Sequence, residues 1–358
     1  MRRERVWGVG ADECFTEENM KAVLFRSKDR FEAFEKKLDE YGVEYSILDF
    51  WDQGWLEFDF SNIDFIIYYP SFEYSSNHPL AAQKVYDNIS FLDERYPHLR
   101  IYPDPGLSRY YNDKYRQFQF LKSRGYPIPP TIPLFSDKSI ELAEKELGYP
   151  MVLKNRYGAA GFYVFRAFNR QQMEQYFKLS ELNLFNFSSA KYFAQMLTKR
   201  LFYYSLIKAR RIRYPFLSPP ILAQKYVKID RDLKTVVGSG RVVEAHWRFQ
   251  ANKSMWKMNI DGGGTGVWGY VPEEPIELST RLAKDLKARW LNIDMVMSEG
   301  RFLITEFSPV WHHYAYKEKP SFVYKEDYNI GVPLEVSLDL EKLIVESLMK
   351  AVKKQKSI

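Results

Sequence analysis

Apolar positions in the first third of the chain switch between two periods. Residues 22–25 form a short apolar run, after which Phe31, Phe34, Leu38 and Tyr41 recur at helical spacing until Gly42 stops the helix. Residues 43–48 predict a second strand. Residues 63–69 are a nearly continuous apolar run of the kind shown by a strand buried on both faces, with Pro70 as its stop. Strands separated by helical segments predict a parallel sheet of Rossmann type, with ligands at the strand C-terminal ends. The segment 69–78, with Asn77 and His78, lies at such an end.

Further on, residues 102–106 read as a turn and a boundary, and Asn112 or Asp113 caps a helix presenting Tyr115, Phe118 and Leu121 before Gly125. Prolines at 127, 129, 130 and 133 predict an extended linker. A second capped helix, 136–147, leads to a strand at 151–154. Strands follow at 162–166, 221–227, 233–237, 242–248, 291–297 and 302–307. A final helix, 338–353, buries Leu340, Leu343, Ile344 and Leu348.

Composition narrows the class. With 358 residues, 46% hydrophobic and 27% charged, the chain has enough core for two or three folded domains. No apolar run approaches the roughly 20 residues of a membrane span, and no apolar stretch follows Arg2, Arg3 and Arg5, so neither a span nor a secretory signal is expected. The lone Cys14 allows no internal disulfide and fits a reducing cytoplasm. A net charge of +6 suits phosphate-bearing ligands. The aromatic residues are spread along the whole chain, which reads as core filling, so no nucleic-acid partner is expected.

Two stretches carry chemistry. In residues 152–162 a small-residue loop with Gly158 and Gly161 separates two strands. Its backbone N–H groups can approach phosphate oxygens, and Lys154 supplies a point charge; a plain hairpin turn is the other reading. In the strand pair 291–297 and 301–308, Asp294 and Glu306 fall opposite or diagonal to each other, and Ser308 shares the face of Glu306. Two carboxylates on one face of an interior hairpin call for a cation between them, and oxygen donors favour magnesium or manganese. An edge hairpin with one solvated face is the alternative.

The order Lys114, Lys154 with its glycine loop, Gln224-Lys225-Tyr226-Val227, Asp232-Leu233-Lys234, Arg248, Asn259 with Gly262 and Gly263, Asp294 and Glu306 resembles an ATP-grasp enzyme of the glutathione-synthetase and RimK-like kind. The resemblance spans roughly residues 101–308. It implies an α/β fold with an α+β lid: a Rossmann-like pre-ATP-grasp domain at 1–105, a connecting helix at 106–126, a lid at 127–227 with a basic insertion at 182–220, and a C-terminal subdomain at 228–358 carrying the metal.

It also implies ATP with Mg2+ or Mn2+ as cofactors. Lys114 and Lys154, with the loop of Gly158 and Gly161, would serve the nucleotide's phosphates, Gln224, Lys225 and Val227 its adenine edge, and Lys234 would also belong to the nucleotide site. Arg248, Asn259 and Lys154 would act in catalysis, and Asp294, Glu306 and Ser308 would hold metal. Ser308 stands where the family carries asparagine, a shorter arm that reaches a cation through a water; Lys225 replaces a glutamate. The implied activity is ADP-forming ligation of a carboxylate to an amine through an acyl phosphate, on an amino acid, peptide or acidic glycan. A non-catalytic ATP-binding scaffold or coat-associated protein, and a small-molecule kinase, are the alternatives. Lys199, Arg200, Lys208, Arg210, Arg211 and Arg213 read as a solvated face or as a surface for an anionic acceptor, and His312 and His313 as solvated loop residues or substrate contacts.

Overall fold

A computed structural model describes residues 20–27, 30–70, 81–158, 164–180, 194, 220–238, 240–250, 256, 264–267, 271–310, 322–324, 331–333 and 339–357. Strands β1 (Lys21–Phe25), β2 (Glu44–Leu48), β3 (Phe65–Ile67) and β4 (Arg100–Tyr102) form a parallel sheet in the order β2-β1-β3-β4, with α1 (Phe31–Glu40), α2 (Gly54–Glu57) and α3 (Ala81–Arg95) interspersed. The apolar run 63–69 is buried except at Asp64, but only three of its residues pair as strand. One face of the sheet packs Val23, Phe25 and Ile66 against Val85, Ile89 and Leu92.

The next unit begins with α4 (Pro105–Ser108) and α5 (Lys114–Ser123) and continues into an antiparallel sheet. Its strands are β5 (Thr131–Leu134), β6 (Met151–Lys154), β7 (Val164–Ala167) and β8 (Ile221–Lys225), in the order β5-β8-β6-β7. The proline stretch is therefore not wholly a linker, because Thr131–Leu134 pairs along β8. Pro133 is tolerated there because β5 is an edge strand, where a missing N–H costs no ladder bond. With α6 (Asp137–Leu147) and α7 (Arg170–Ser180), this sheet closes its own core around Leu134, Ile140, Leu153, Met173 and Ile221.

Strands β9 (Arg231–Gly238), β10 (Arg241–Phe249), β11 (Thr265–Val267), β12 (Trp290–Ser298) and β13 (Arg301–Ser308) form a fully antiparallel sheet, order β11-β10-β9-β12-β13. One face is apolar, with Leu233, Val237, Ile293, Met295 and Ile304 packed with Ile276 and Leu282 of α8 (Glu273–Asp285). The other face changes character along its strands. At one end Val236, Val243 and Trp290 join a core shared with Ala22, Leu24, Phe65 and Ile67 of the parallel sheet and with Ile344 and Leu348 of α9 (Leu340–Lys356). Gly238 makes room for this contact, since a Cβ there would come within 2.6 Å of the Trp290 indole. A buried ion pair, Arg30 Nε to Glu341 Oε1 at 2.8 Å, ties the start of α1 to α9. Further along the same face the strands turn polar, and that end forms the site described next. No helix among the described residues is long and apolar enough to cross a membrane.

Candidate active site

Lys114 opens α5 because Asp113 caps the helix, accepting the Arg116 N–H at 3.1 Å. Asp113 is also clamped by the Arg156 fork, Nη2 to Oδ2 at 2.8 Å and Nε to Oδ1 at 3.1 Å. Backbone bonds complete the junction: the Lys114 N–H donates to the Arg156 carbonyl at 2.9 Å and the Gly158 N–H to the Asn112 carbonyl at 3.3 Å. The Lys114 ammonium donates to the Gly158 carbonyl and lies 3.6 Å from Glu306 Oε1. Gln117, one turn into α5, accepts the Phe307 N–H at 3.2 Å, so the helix is fixed to β13. Three sequence-distant segments thus converge: the start of α5, the loop after β6 and the end of β13.

Lys154 ends β6. Burial pushes its ammonium down to about 8; the carboxylates of Glu306 and Asp294 oppose that shift and the Lys114 charge adds to it. The Glu306 and Asp294 influence places Lys154 within the field of the carboxylate pair.

The polar face of the C-terminal sheet is organised by cross-strand register. Lys234 of β9 stands opposite His246 of β10 on one side and Asp294 of β12 on the other, and Asp294 stands opposite Glu306 of β13. Next to this row, Asp232 is paired with Arg248 by two bonds of 2.7 Å. Arg248 Nη2 also reaches Asp294 Oδ2 at 3.1 Å, and Lys234 Nζ lies 3.6 Å from Asp294 Oδ1. Burial alone would raise the Asp294 carboxyl, but Arg248 and then Lys234 outweigh it and hold the group below its ordinary value. Burial raises Asp232, with Arg248 opposing; burial together with Lys234 and Arg248 keeps His246 neutral. Lys114, Lys154, Lys234 and Arg248 face three carboxylates, Asp232, Asp294 and Glu306. The surplus positive charge awaits a polyanion.

The oxygen donors suit a hard divalent cation. Among the described residues no three His, Cys, Asp or Glu side chains form a metal cage by themselves. Asp294 and Glu306 are nevertheless directly opposed. Ser308 follows on the same face, opposite Asn292, and the buried Oδ1 atoms of Asp294 and Asn292 lack hydrogen-bond partners. Two carboxylates with further neutral oxygens match the donor set of magnesium or manganese.

At the lid, Gln224 and Lys225 end β8. The Gln224 amide donates to Thr131 Oγ1 at 3.0 Å, and the Lys225 N–H is taken by the Pro130 carbonyl at 2.8 Å, so that donor cannot read a base. Val227 lies just past the strand. Beside it Arg166 stands over Tyr226 at 5.6 Å and Trp256 at 4.9 Å. Gly161, Asn259, Gly262, Gly263, Asn77, His78, His312, His313 and the basic residues 199–213 lie outside the described residues. Sequence reasoning gave Asp113 its role as helix cap but not its clamp on Arg156, overlooked Arg156, Gln117, His246 and Asn292 as site residues, and quoted Asp232 without giving it a role. For Asn292 a signal existed: it precedes Asp294 by two, the spacing that places side chains on one face.

No family model matches the chain. Beta-citrylglutamate synthase B of Danio rerio is 27% identical over 201 residues, which cover 54% of this chain and 40% of that protein. The chain therefore spans less than half the length of this curated relative. Among solved structures, D-alanine–D-alanine ligase from Bacillus anthracis matches with a TM-score of 0.57 at 14% identity, covering 94% of this chain and 99% of that one. The ADP complex of N5-carboxyaminoimidazole ribonucleotide synthetase matches with a TM-score of 0.57 at 13% identity, covering 85% and 74%.

Proposed function

We propose that this chain, which has the ATP-grasp fold, is an ATP-dependent ligase that joins a carboxylate to an amine through an acyl phosphate. The observation that carries this reading is the convergence of Lys114, Lys154, Lys234 and Arg248 on the opposed carboxylates Asp294 and Glu306. Such a charge pattern holds a triphosphate and its counter-ion; it offers no covalent nucleophile and needs none. The structural relatives solved with ATP and ADP support a nucleotide as the polyanion.

In this reading Lys114 and Lys154 neutralise phosphate oxygens from two separate units, with Gly158, on the loop after β6, held against the Lys114 ammonium. Gln224, Lys225 and Val227 border the base. Asp294 and Glu306, with a neutral oxygen from the same face, would hold magnesium or manganese, which would supply charge neutralisation to the phosphates. Arg248, fixed by Asp232, faces the transferred phosphoryl group together with Asn259. The substrate carboxylate oxygen attacks the γ-phosphorus and ADP leaves. The amine then attacks the acyl carbon, expelling inorganic phosphate and losing a proton. The acceptors are small carboxylates and amines, an amino acid, a peptide or an acidic glycan among them, and the compartment is the cytoplasm.

The test is isotopic. Carboxylate substrates labelled with 18O, offered with Mg-ATP and a panel of amines, should yield an amide, ADP and inorganic phosphate carrying one label atom. A stable phosphorylated product would instead make the chain a kinase. Nucleotide binding with no ADP release for any pair would favour a scaffold.

A further inference from the structure

We propose that Asn292 supplies the neutral protein oxygen of the divalent-cation site, a role the sequence pattern would give to Ser308. This rests on the reading that the polar sheet face holds a metal nucleotide.

Asn292 and Asp294 are two apart on β12, and their partners on β13 are Ser308 and Glu306. The four side chains therefore form one patch, two by two, on a single face. Asn292 is 7% exposed, and its Oδ1 is buried without a hydrogen-bond partner. An orphaned amide oxygen is costly in a folded interior; Arg248 pairs with Asp232 and Thr235 with Ser279 at 2.7 Å, whereas Asn292 Oδ1 and Asp294 Oδ1, two residues apart on one strand, are both left open. An acceptor left open beside two carboxylates is matched by a cation, and amide carbonyls are ordinary ligands of hard divalent ions.

Ser308 is less well placed for the same task. Its Oγ already accepts the Val310 N–H at 3.3 Å, and its side chain is one bond shorter than that of asparagine. The cross-strand neighbour, on a longer arm and with a free oxygen, takes over. A relocation of this kind keeps the ligand chemistry while moving its source from one strand to the next.

The experiment uses the full chain loaded with ADP and titrated with Mn2+, free metal being read by electron paramagnetic resonance. Asn292→Leu preserves the approximate volume and removes the oxygen. It should weaken Mn2+ binding by roughly tenfold or more, leave ADP binding in EDTA unchanged, and raise the melting temperature of the ligand-free protein, because a buried unpaired amide is gone. Asn292→Asp keeps an oxygen and should bind Mn2+ at least as tightly as the parent. Ser308→Ala should change little. Parent-like Mn2+ affinity in Asn292→Leu, or a loss confined to Ser308→Ala, would overturn the assignment while leaving the nucleotide site intact. A parent chain that binds neither ADP nor Mn2+ would instead remove the ligase reading, and this proposal with it.

Discussion

The Lys114 ammonium lies 3.6 Å from the Glu306 carboxylate, joining the first residue of α5 to the edge strand of the C-terminal sheet. Both groups are poised to trade this contact for a ligand, the lysine toward phosphate and the carboxylate toward a cation. Lys114→Ala should weaken ATP binding by roughly tenfold to a hundredfold, the range expected for loss of one charged hydrogen bond, with the far-ultraviolet spectrum unchanged. Calorimetry showing parent-like affinity would mean that the phosphates lie elsewhere.

Glu306→Gln retains shape and removes charge. Turnover should fall on the order of 10²-fold, as when one electrostatic element of an active site is lost. Initial rates at saturating ATP and a series of magnesium concentrations check this, and full activity at limiting magnesium would contradict it.

Lys154 gives a pH signature. Its ammonium titrates near 8 because burial disfavours the charge. Affinity for ATP should be greatest below that value and decline as the pH passes from 7.5 to 9, whereas Lys154→Arg should bind with a flat profile over the same interval. The sign for stability is opposite. The folded value lies below the ordinary 10.5, so the buried charge opposes folding fully below pH 8, and the penalty fades between 8 and 10.5. Ligand-free Lys154→Met should therefore be more stable at pH 7, by up to about 3 kcal/mol, and lose that advantage near pH 10.5. Equal melting temperatures at both pH values would contradict the assignment.

Arg30 and Glu341 are both nearly inaccessible, and they join α1 to α9. Glu341→Ala removes the carboxylate that faces the buried Arg30 guanidinium and should cost about 3–5 kcal/mol, measurable in urea unfolding. A change below 1 kcal/mol would show that water or another acceptor replaces the carboxylate.

The elements around the site were legible where patterning was strong. β6 and β13 run over the residues expected of the strands 151–154 and 301–308, and β12 extends the expected strand by a residue at each end. The two-residue turn at Glu299 and Gly300, with φ angles of 52° and 77°, sets the hairpin register as far as Met295 opposite Ile304, but a bulge between Asp294 and Met295, which no local pattern encodes, is what brings Asp294 opposite Glu306. The Asp232–Arg248 clamp was not legible, since a bulge between Val242 and Glu244 shifts the register of β10 on β9 and no local pattern encodes it. The prolines disguised β5 because an edge strand does not need every N–H. The buried stripe Ile276, Leu278, Leu282 and Ala283 marks α8, which is absent from the expected elements, and Pro275 is compatible with it because it lies in the first turn, where its missing N–H costs no helical bond. The approach of Lys114 to the loop after β6 depends on tertiary folding alone.

The core shared by the parallel sheet, the C-terminal sheet and α9 contrasts with the self-contained core of the β5-β8-β6-β7 sheet. Mechanically, the first is a welded chassis and the second a separate panel. The panel's latch is the Asn112–Lys114 junction with Arg156–Gly158, made of backbone and guanidinium bonds. Protection of the Lys114 and Gly158 amides against hydrogen exchange would thus report the state of the latch, while Val23 and Ile344 report only on global unfolding.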